Sequence, residues 1–143
     1  MTKPFPVVIF HNPDCGTSRN VLAAIEAAGY APEVIDYQRE GWTRPQLLAL
    51  FAAANITPRE ALRETKSPAA ELGLLEPGVD AERLLSEMIR YPILVNRPIV
   101  ATPKGVALCR PSERVLSLLD RCPPASFLKE DGAPMNAAGG QPS

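Results

Sequence analysis

The sequence contains few cysteines, and no two of them are close enough to form a local redox dithiol. Three cysteines, Cys15, Cys109 and Cys122, occur among 143 residues. An odd, small number excludes a scaffold held together by disulfides and is typical of a protein kept in a reducing compartment.

Long apolar stretches and an excess of charge of one sign are also missing. No apolar run approaches the roughly 20 residues that span a bilayer, and no secretory signal is recognisable before His11. The formal net charge is −1 at pH 7. We therefore expect a cytoplasmic protein that binds neither membranes nor nucleic acids.

The most informative residue that is present is Cys15. It follows an apolar run at 7–10, which is typical of a buried strand, and it precedes a helical pattern. At such a junction the first backbone N–H groups of the helix have no intrahelical partner, and with the helix dipole they favour a thiolate or a bound oxyanion. The pattern predicts a nucleophile, and a buried structural cysteine is the alternative interpretation.

The residues around Cys15 restrict its chemistry. The run Cys-Gly-Thr-Ser at 15–18 has serine where a redox Cys-x-x-Cys motif has its second cysteine. A resolving thiol would therefore come from another molecule or from a distant cysteine of this chain. A low-molecular-weight phosphatase loop needs arginine five residues after the cysteine, but Asn20 occupies that position.

Secondary-structure patterns predict an α/β fold. A helix at 16–28 and a strand at 32–37 follow the first strand, which gives a parallel β-α-β unit. Capping boxes start helices near residues 43 and 57, and Asp80 starts another, so an insertion at about 43–90 is predicted to be helical.

The pattern returns to strands after this insertion. Residues 99–102 and 106–110 predict a β-hairpin, and Ser112 is expected to cap a last helix. Without the insertion, the order β-α-β-β-α predicts a thioredoxin-like fold with a mixed four-stranded sheet. We predict one domain over residues 1–128 and a disordered tail over 129–143, where the chain is small, polar and rich in Gly and Pro.

Three arginines are candidates for an anion site. Arg97 and Arg110 lie at the two ends of the predicted hairpin, each before a proline that holds it extended, and Arg63 lies on the insertion. Arginine can bind an oxyanion through two parallel N–H donors. Taken singly, each arginine is more typical of a solvated surface charge than of a binding site, so the hypothesis depends on the fold bringing them into one site.

Three blocks of the sequence together match a known pattern. The first is His-Asn-Pro-Asp-Cys-Gly-Thr-Ser-Arg-Asn at 11–20, the second is Pro-Ile-Leu-Val-Asn-Arg-Pro-Ile-Val at 92–100, and the third covers 102–105 and 108–113. They resemble the signatures of the glutaredoxin-coupled arsenate reductases, thioredoxin-like enzymes with one essential cysteine. The resemblance runs from Val7 to Gly132 in consistent register.

The resemblance implies a covalent mechanism in which Cys15 attacks arsenate and forms a thiol-arsenate ester. His11 and Ser18 would help to keep Cys15 as a thiolate. The residues implied in substrate binding are Arg63, Arg97, Arg110, Gly16 and Thr17. Glutathione would be a co-substrate and a glutaredoxin the protein partner, with no tightly bound cofactor and no metal. Pro98 matches the proline that is cis in thioredoxin-like folds.

Two other functions are alternatives to the reductase. A redox-sensing transcriptional regulator of the same extended family usually carries Cys-x-x-Cys or lacks the oxyanion arginines, and a monothiol glutaredoxin carries Cys-Gly-Phe-Ser without a long helical insertion. Neither matches this sequence as well. Asp14 departs from what the chemistry favours, because a carboxylate beside the nucleophile opposes a thiolate and an approaching anion unless it points to solvent.

Overall fold

The computed structural model describes residues 5–135, and the chain divides into two compact units. One unit combines the chain up to Asp36 with the chain from Arg97 onward, and the other is Tyr37–Asn96. The inserted unit is therefore longer at both ends than the predicted insertion at about 43–90. It begins directly after the second strand and ends directly before Arg97.

Within the described residues, the first unit is built on a four-stranded mixed sheet with the order β2-β1-β3-β4. The strands are β1 Val8–His11, β2 Glu33–Asp36, β3 Ile99–Thr102 and β4 Gly105–Leu108. β1 pairs with β2 in parallel and with β3 antiparallel, and β3 pairs antiparallel with β4. The predicted thioredoxin-like sheet is confirmed, and the Arg97–Pro98 peptide bond is cis, as expected.

Helix α1, Gly16–Ala27, connects β1 to β2 as predicted and turns one face to the sheet. Val21 and Ile25 from this face are fully buried in one core with Ile9 of β1. Gly29 follows the helix with a φ of 97°, a left-handed conformation that glycine adopts without steric cost. The sequence therefore specifies both which face of this helix is buried and where the helix ends.

The second unit is helical, as predicted for the insertion. Its helices are α2 Tyr37–Glu40, α3 Arg44–Ala54, α4 Pro58–Ala61, α5 Ala81–Arg90 and a 3₁₀-helix at Pro92–Leu94. Thr43 with Gln46 and Thr57 with Glu60 form the predicted capping boxes, and Asp80 caps α5. In the part of the chain that the structure describes, no helix combines the length and apolar character needed to cross a membrane.

The chain after β4 differs from the predicted capped α-helix. A 3₁₀-helix covers Ser112–Leu118, and Ser112 does not cap it. Pro111 holds the N-cap position, so Ser112 is the first residue inside the helix, and its hydroxyl donates to a carboxylate oxygen of Glu113 at 3.4 Å.

The prediction of a disordered tail from residue 129 is wrong for residues 129–135. These residues form turns in which the Lys129 ammonium pairs with the Glu113 carboxylate at 2.6 Å, and Met135 is fully buried. Composition alone did not reveal these tertiary contacts. The rest of the predicted tail, 136–143, lies outside the described residues.

Candidate active site

Cys15 lies in the tight turn between β1 and α1. Its backbone N–H donates to the Asn12 carbonyl at 3.1 Å, and the N–H of Asp14 donates to Asn12 Oδ1 at 3.0 Å. Cys15 is the N-cap of α1, and its carbonyl accepts the first helical hydrogen bond, from the N–H of Arg19 at 3.0 Å. The sulfur therefore sits at the helix N-terminus, where the sequence predicts it.

The surroundings of Cys15 lower the pKa of its thiol. Burial is the largest single influence and acts in the opposite direction, since the residue is only 6% exposed. The backbone N–H of Ser18, the charge and a hydrogen bond of Arg97, and the N–H of Thr17 together outweigh burial, so the pKa falls below its ordinary value. The site thus shifts a buried thiol toward its nucleophilic, ionised form.

Two of the predicted arginines meet at this thiol. Arg110 Nη1 lies 3.8 Å from Cys15 Sγ and also donates to the Arg97 carbonyl at 3.1 Å. The sheet explains their convergence, because Ile99 pairs with Leu108 and two arginines far apart in sequence flank this pair. The hairpin therefore carries two guanidinium groups to the N-terminus of α1, an arrangement of charge and directed N–H donors that is chemically suited to an oxyanion. Their predicted role in substrate binding stays a prediction.

His11 and Ser18 lie beside Cys15 but act on the loop in a way that the sequence does not show. His11 Nδ1 lies 2.7 Å from Ser18 Oγ, and this hydroxyl also accepts the N–H of Asn12 at 3.0 Å. Burial lowers the pKa of His11, which favours the neutral imidazole. Ser18 stabilises the thiolate through its backbone N–H, while its hydroxyl ties β1 to α1.

The remaining residues of the loop are more exposed. Asp14 points to solvent, which screens its charge and removes the conflict expected from the sequence. Gly16 and Thr17 form the partly exposed first turn of α1. Their predicted role in substrate binding stays a prediction that this placement permits.

Arg63 belongs to the second unit. Its side chain is buried, its Nε donates to the Thr65 carbonyl at 3.1 Å, and its backbone N–H donates to the Leu94 carbonyl at 2.8 Å. Its predicted role in substrate binding stays a prediction that rests on the family resemblance.

Sequence reasoning missed two residues that shape the loop. Asn12 holds the turn through both its carbonyl and its side chain, and an Asx residue three positions before a helix cap was the available signal. Glu130 binds Arg19 with Nε–Oε2 and Nη2–Oε1 distances of 2.7 and 3.0 Å. No local pattern could have found a contact between residues 111 positions apart.

The other two cysteines are free thiols in different surroundings. Cys109 directly follows β4 rather than lying within it, and it is fully buried, which raises the pKa of its thiol to about 12. Cys122 is exposed. At neutral pH, Cys109 is therefore almost entirely in its unreactive neutral form.

Comparisons with known proteins agree with this geometry. The ArsC family model matches residues 10–118. Arsenate reductase ArsI2 of Synechocystis sp. is 71% identical over 126 residues, covering 88% of this chain and 90% of that protein. Arsenate reductase of Escherichia coli K12 is 47% identical over 126 residues, covering 88% of this chain and 89% of that protein.

A solved structure gives the same result in three dimensions. The arsenate reductase from Vibrio cholerae superposes with a TM-score of 0.77 at 33% identity, covering 82% of this chain and all of that chain. The sequence blocks, the cysteine at the start of α1 and these matches lead to one assignment: the chain belongs to the ArsC family.

Proposed function

We propose that this protein reduces arsenate to arsenite, with glutathione and a glutaredoxin supplying the electrons. The observation that carries the proposal is the Cys15 thiol, whose pKa is lowered and whose sulfur lies against Arg97 and Arg110. Relatives named arsenate reductase, at 71% and 47% identity, support arsenate as the substrate.

The electrostatics suit an attack by one anion on another. Arsenate is an anion at neutral pH, so a thiolate repels it unless fixed positive charge lies between them. Arg97 and Arg110 supply that charge, and the N–H groups at the start of α1 add directed donors. These groups are in place before substrate binds and are suited to the charge that develops on the arsenate oxygens.

The proposed reaction conserves atoms and electrons. The Cys15 thiolate forms a bond to As(V), and a protonated arsenate oxygen leaves as water. A glutathione thiol then displaces a second oxygen as water. A glutaredoxin thiolate attacks the glutathione sulfur, the S–As electron pair stays on arsenic as As(III), and the mixed disulfide departs. Water finally releases arsenite and regenerates the Cys15 thiol.

An external thiol is part of the proposal because the local motif has no second cysteine and the pKa of Cys109 is raised. Ser18 stands at the resolving position of the local motif, and the buried Cys109 has a pKa of about 12. Glutathione therefore acts as a co-substrate, and no tightly bound cofactor is needed. The three free thiols are consistent with a reducing compartment, so we place the reaction in the cytoplasm.

The test is arsenate-dependent NADPH oxidation coupled through glutathione reductase, glutathione and a glutaredoxin. We expect turnover by the wild type that requires every component, and loss of at least about a thousandfold in Cys15→Ser. Cys109→Ser and Cys122→Ala are the matched controls and should keep most of the activity.

The same assay can contradict the proposal in two ways. A folded wild type with a reactive Cys15 but no arsenate-dependent turnover would reject the function. If Cys109→Ser loses turnover while keeping its fold, the mechanism would instead use Cys109 as an intramolecular resolving thiol in place of the external one.

A further inference from the structure

The segment after residue 128 contacts the start of α1. The Glu130 carboxylate accepts two hydrogen bonds from Arg19, at 2.7 Å from Nε and 3.0 Å from Nη2, and the Glu130 backbone N–H donates to Asn20 Oδ1 at 2.9 Å. Both the backbone and the side chain of Glu130 are therefore held. A bidentate pair of this kind fixes orientation as well as distance.

The third nitrogen of the same guanidinium reaches the loop that carries the nucleophile. Arg19 Nη1 donates to the Pro13 carbonyl at 2.9 Å, two residues before Cys15. The guanidinium group is planar and rigid, so fixing Nε and Nη2 on Glu130 also fixes the direction of Nη1. The carboxylate of Glu130 thereby sets where the Pro13 carbonyl is held.

This contact is one of several ties between the loop and α1. The Asn12 N–H donates to Ser18 Oγ at 3.0 Å, and the Cys15 N–H donates to the Asn12 carbonyl at 3.1 Å. Those ties are local, whereas the Pro13 tie depends on a residue 111 positions from Arg19. The N–H groups of the first helical turn stabilise the Cys15 thiolate only when they point at its sulfur. A small shift of the loop therefore weakens this stabilisation.

We propose that Glu130 is a positioning residue for Cys15 and acts through Arg19 on the Pro13 carbonyl. The inference deepens the proposed function and rests on it for its kinetic readout. The side chains of Arg19 and Glu130 are 44% and 50% exposed, so the pair adds little to global stability. Its loss should therefore appear in catalysis rather than in the melting temperature.

The experiment compares Glu130→Gln, Arg19→Gln, Arg19→Lys and the Arg19→Gln/Glu130→Gln double variant in the coupled arsenate assay. We expect Glu130→Gln to lower kcat about fivefold, with KM for arsenate changed less than about twofold. The double variant should be no worse than the poorer single variant, because both changes break one unit. Arg19→Lys should resemble Arg19→Gln, since an ammonium keeps the charge but not the planar fork.

Glu113→Gln is the matched control. Glu113 pairs with Lys129 at 2.6 Å, so this change breaks the other ion pair of the same segment without touching Arg19. We expect unchanged kcat in Glu113→Gln. An equal loss of kcat in Glu113→Gln and Glu130→Gln would overturn the inference, because general anchoring of the segment would then explain both. Additive losses in the double variant, or a near-normal Arg19→Lys, would overturn it as well.

A second readout does not depend on arsenate. Iodoacetamide alkylation of Cys15 at pH 7, followed by mass spectrometry in a Cys122→Ala background, should slow about threefold in Glu130→Gln and stay unchanged in Glu113→Gln. A faster rate in Glu130→Gln would overturn the inference, because it would mean that Glu130 acts through its negative charge alone. If the wild type shows no arsenate turnover, the proposed function fails, and these rates still decide the role of Glu130.

Discussion

Cys15 and Cys109 are both buried cysteines of the same unit, and the structure moves their pKa values in opposite directions. Both side chains have little solvent exposure, 6% for Cys15 and none for Cys109, but the Cys109 sulfur lies deeper and burial opposes its ionisation more strongly. The pKa of Cys15 is nevertheless lowered, whereas that of Cys109 is raised to about 12. Low solvent exposure of the side chain therefore does not by itself determine which cysteine can react.

The difference lies in the depth of burial and in what faces each sulfur. Cys15 receives backbone N–H groups from the first turn of α1 and the charge of Arg97, all of which stabilise an anion. The Cys109 thiol donates to the Ala107 carbonyl at 3.7 Å, a partner that suits the neutral form. Arg114 lowers the pKa of Cys109, but burial outweighs it.

Among the tests of this contrast, the largest expected effect is a difference in alkylation rate between the two thiols. At pH 7, iodoacetamide should modify Cys15 at least about a hundredfold faster than Cys109, because the thiolate is the reactive form. As pH falls, the Cys15 rate should hold until pH passes through its lowered pKa, so the midpoint of the profile lies below the ordinary value of 9.0. Peptide mass spectrometry over a pH series measures both rates. Comparable alkylation rates of Cys15 and Cys109 in the folded protein would show that the two thiols do not differ in reactivity as expected.

A smaller effect is expected when the positive charge beside Cys15 is kept but the group that carries it changes from a planar guanidinium to an ammonium. Arg97→Lys should lower kcat/KM for arsenate about 10- to 100-fold, because an ammonium cannot supply two parallel donors to an oxyanion. Arg114→Lys is the matched control beside Cys109 and should leave kcat/KM unchanged. Near-normal kinetics in Arg97→Lys would take Arg97 out of the site.

The smallest effect is expected for the Ser18 hydroxyl. Ser18→Ala keeps the backbone N–H that lowers the pKa of Cys15, so the midpoint of the alkylation profile should barely move. The change leaves the buried Asn12 N–H without its acceptor, which should cost about 1–2 kcal/mol of unfolding free energy. Urea unfolding and the alkylation profile measure the two effects separately. A clear upward shift of the midpoint in Ser18→Ala would mean that the hydroxyl acts on the sulfur directly.

Much of the fold was predictable because its signals are local. The apolar run before Cys15, the capping boxes at Thr43 and Thr57, and the glycine that ends α1 each act within a few residues. The prediction for the tail was wrong because neighbours in sequence did not decide the outcome. Residues 129–135 looked disordered but are held by contacts with the distant residues Glu113 and Arg19. The Ser112 cap was wrong for a local reason, because Pro111 occupies the N-cap position.

The candidate site shows the same division between local and distant effects. The sequence by itself determined the place of Cys15 at the start of a helix, because a strand, a tight turn and a helix follow one another there. Only the tertiary structure decided what faces that sulfur. Pairing of β3 with β4 brings Arg97 and Arg110 together, and a contact across 111 positions joins Glu130 to Arg19. Such contacts depend on sheet register and chain packing, which no local pattern of residues contains.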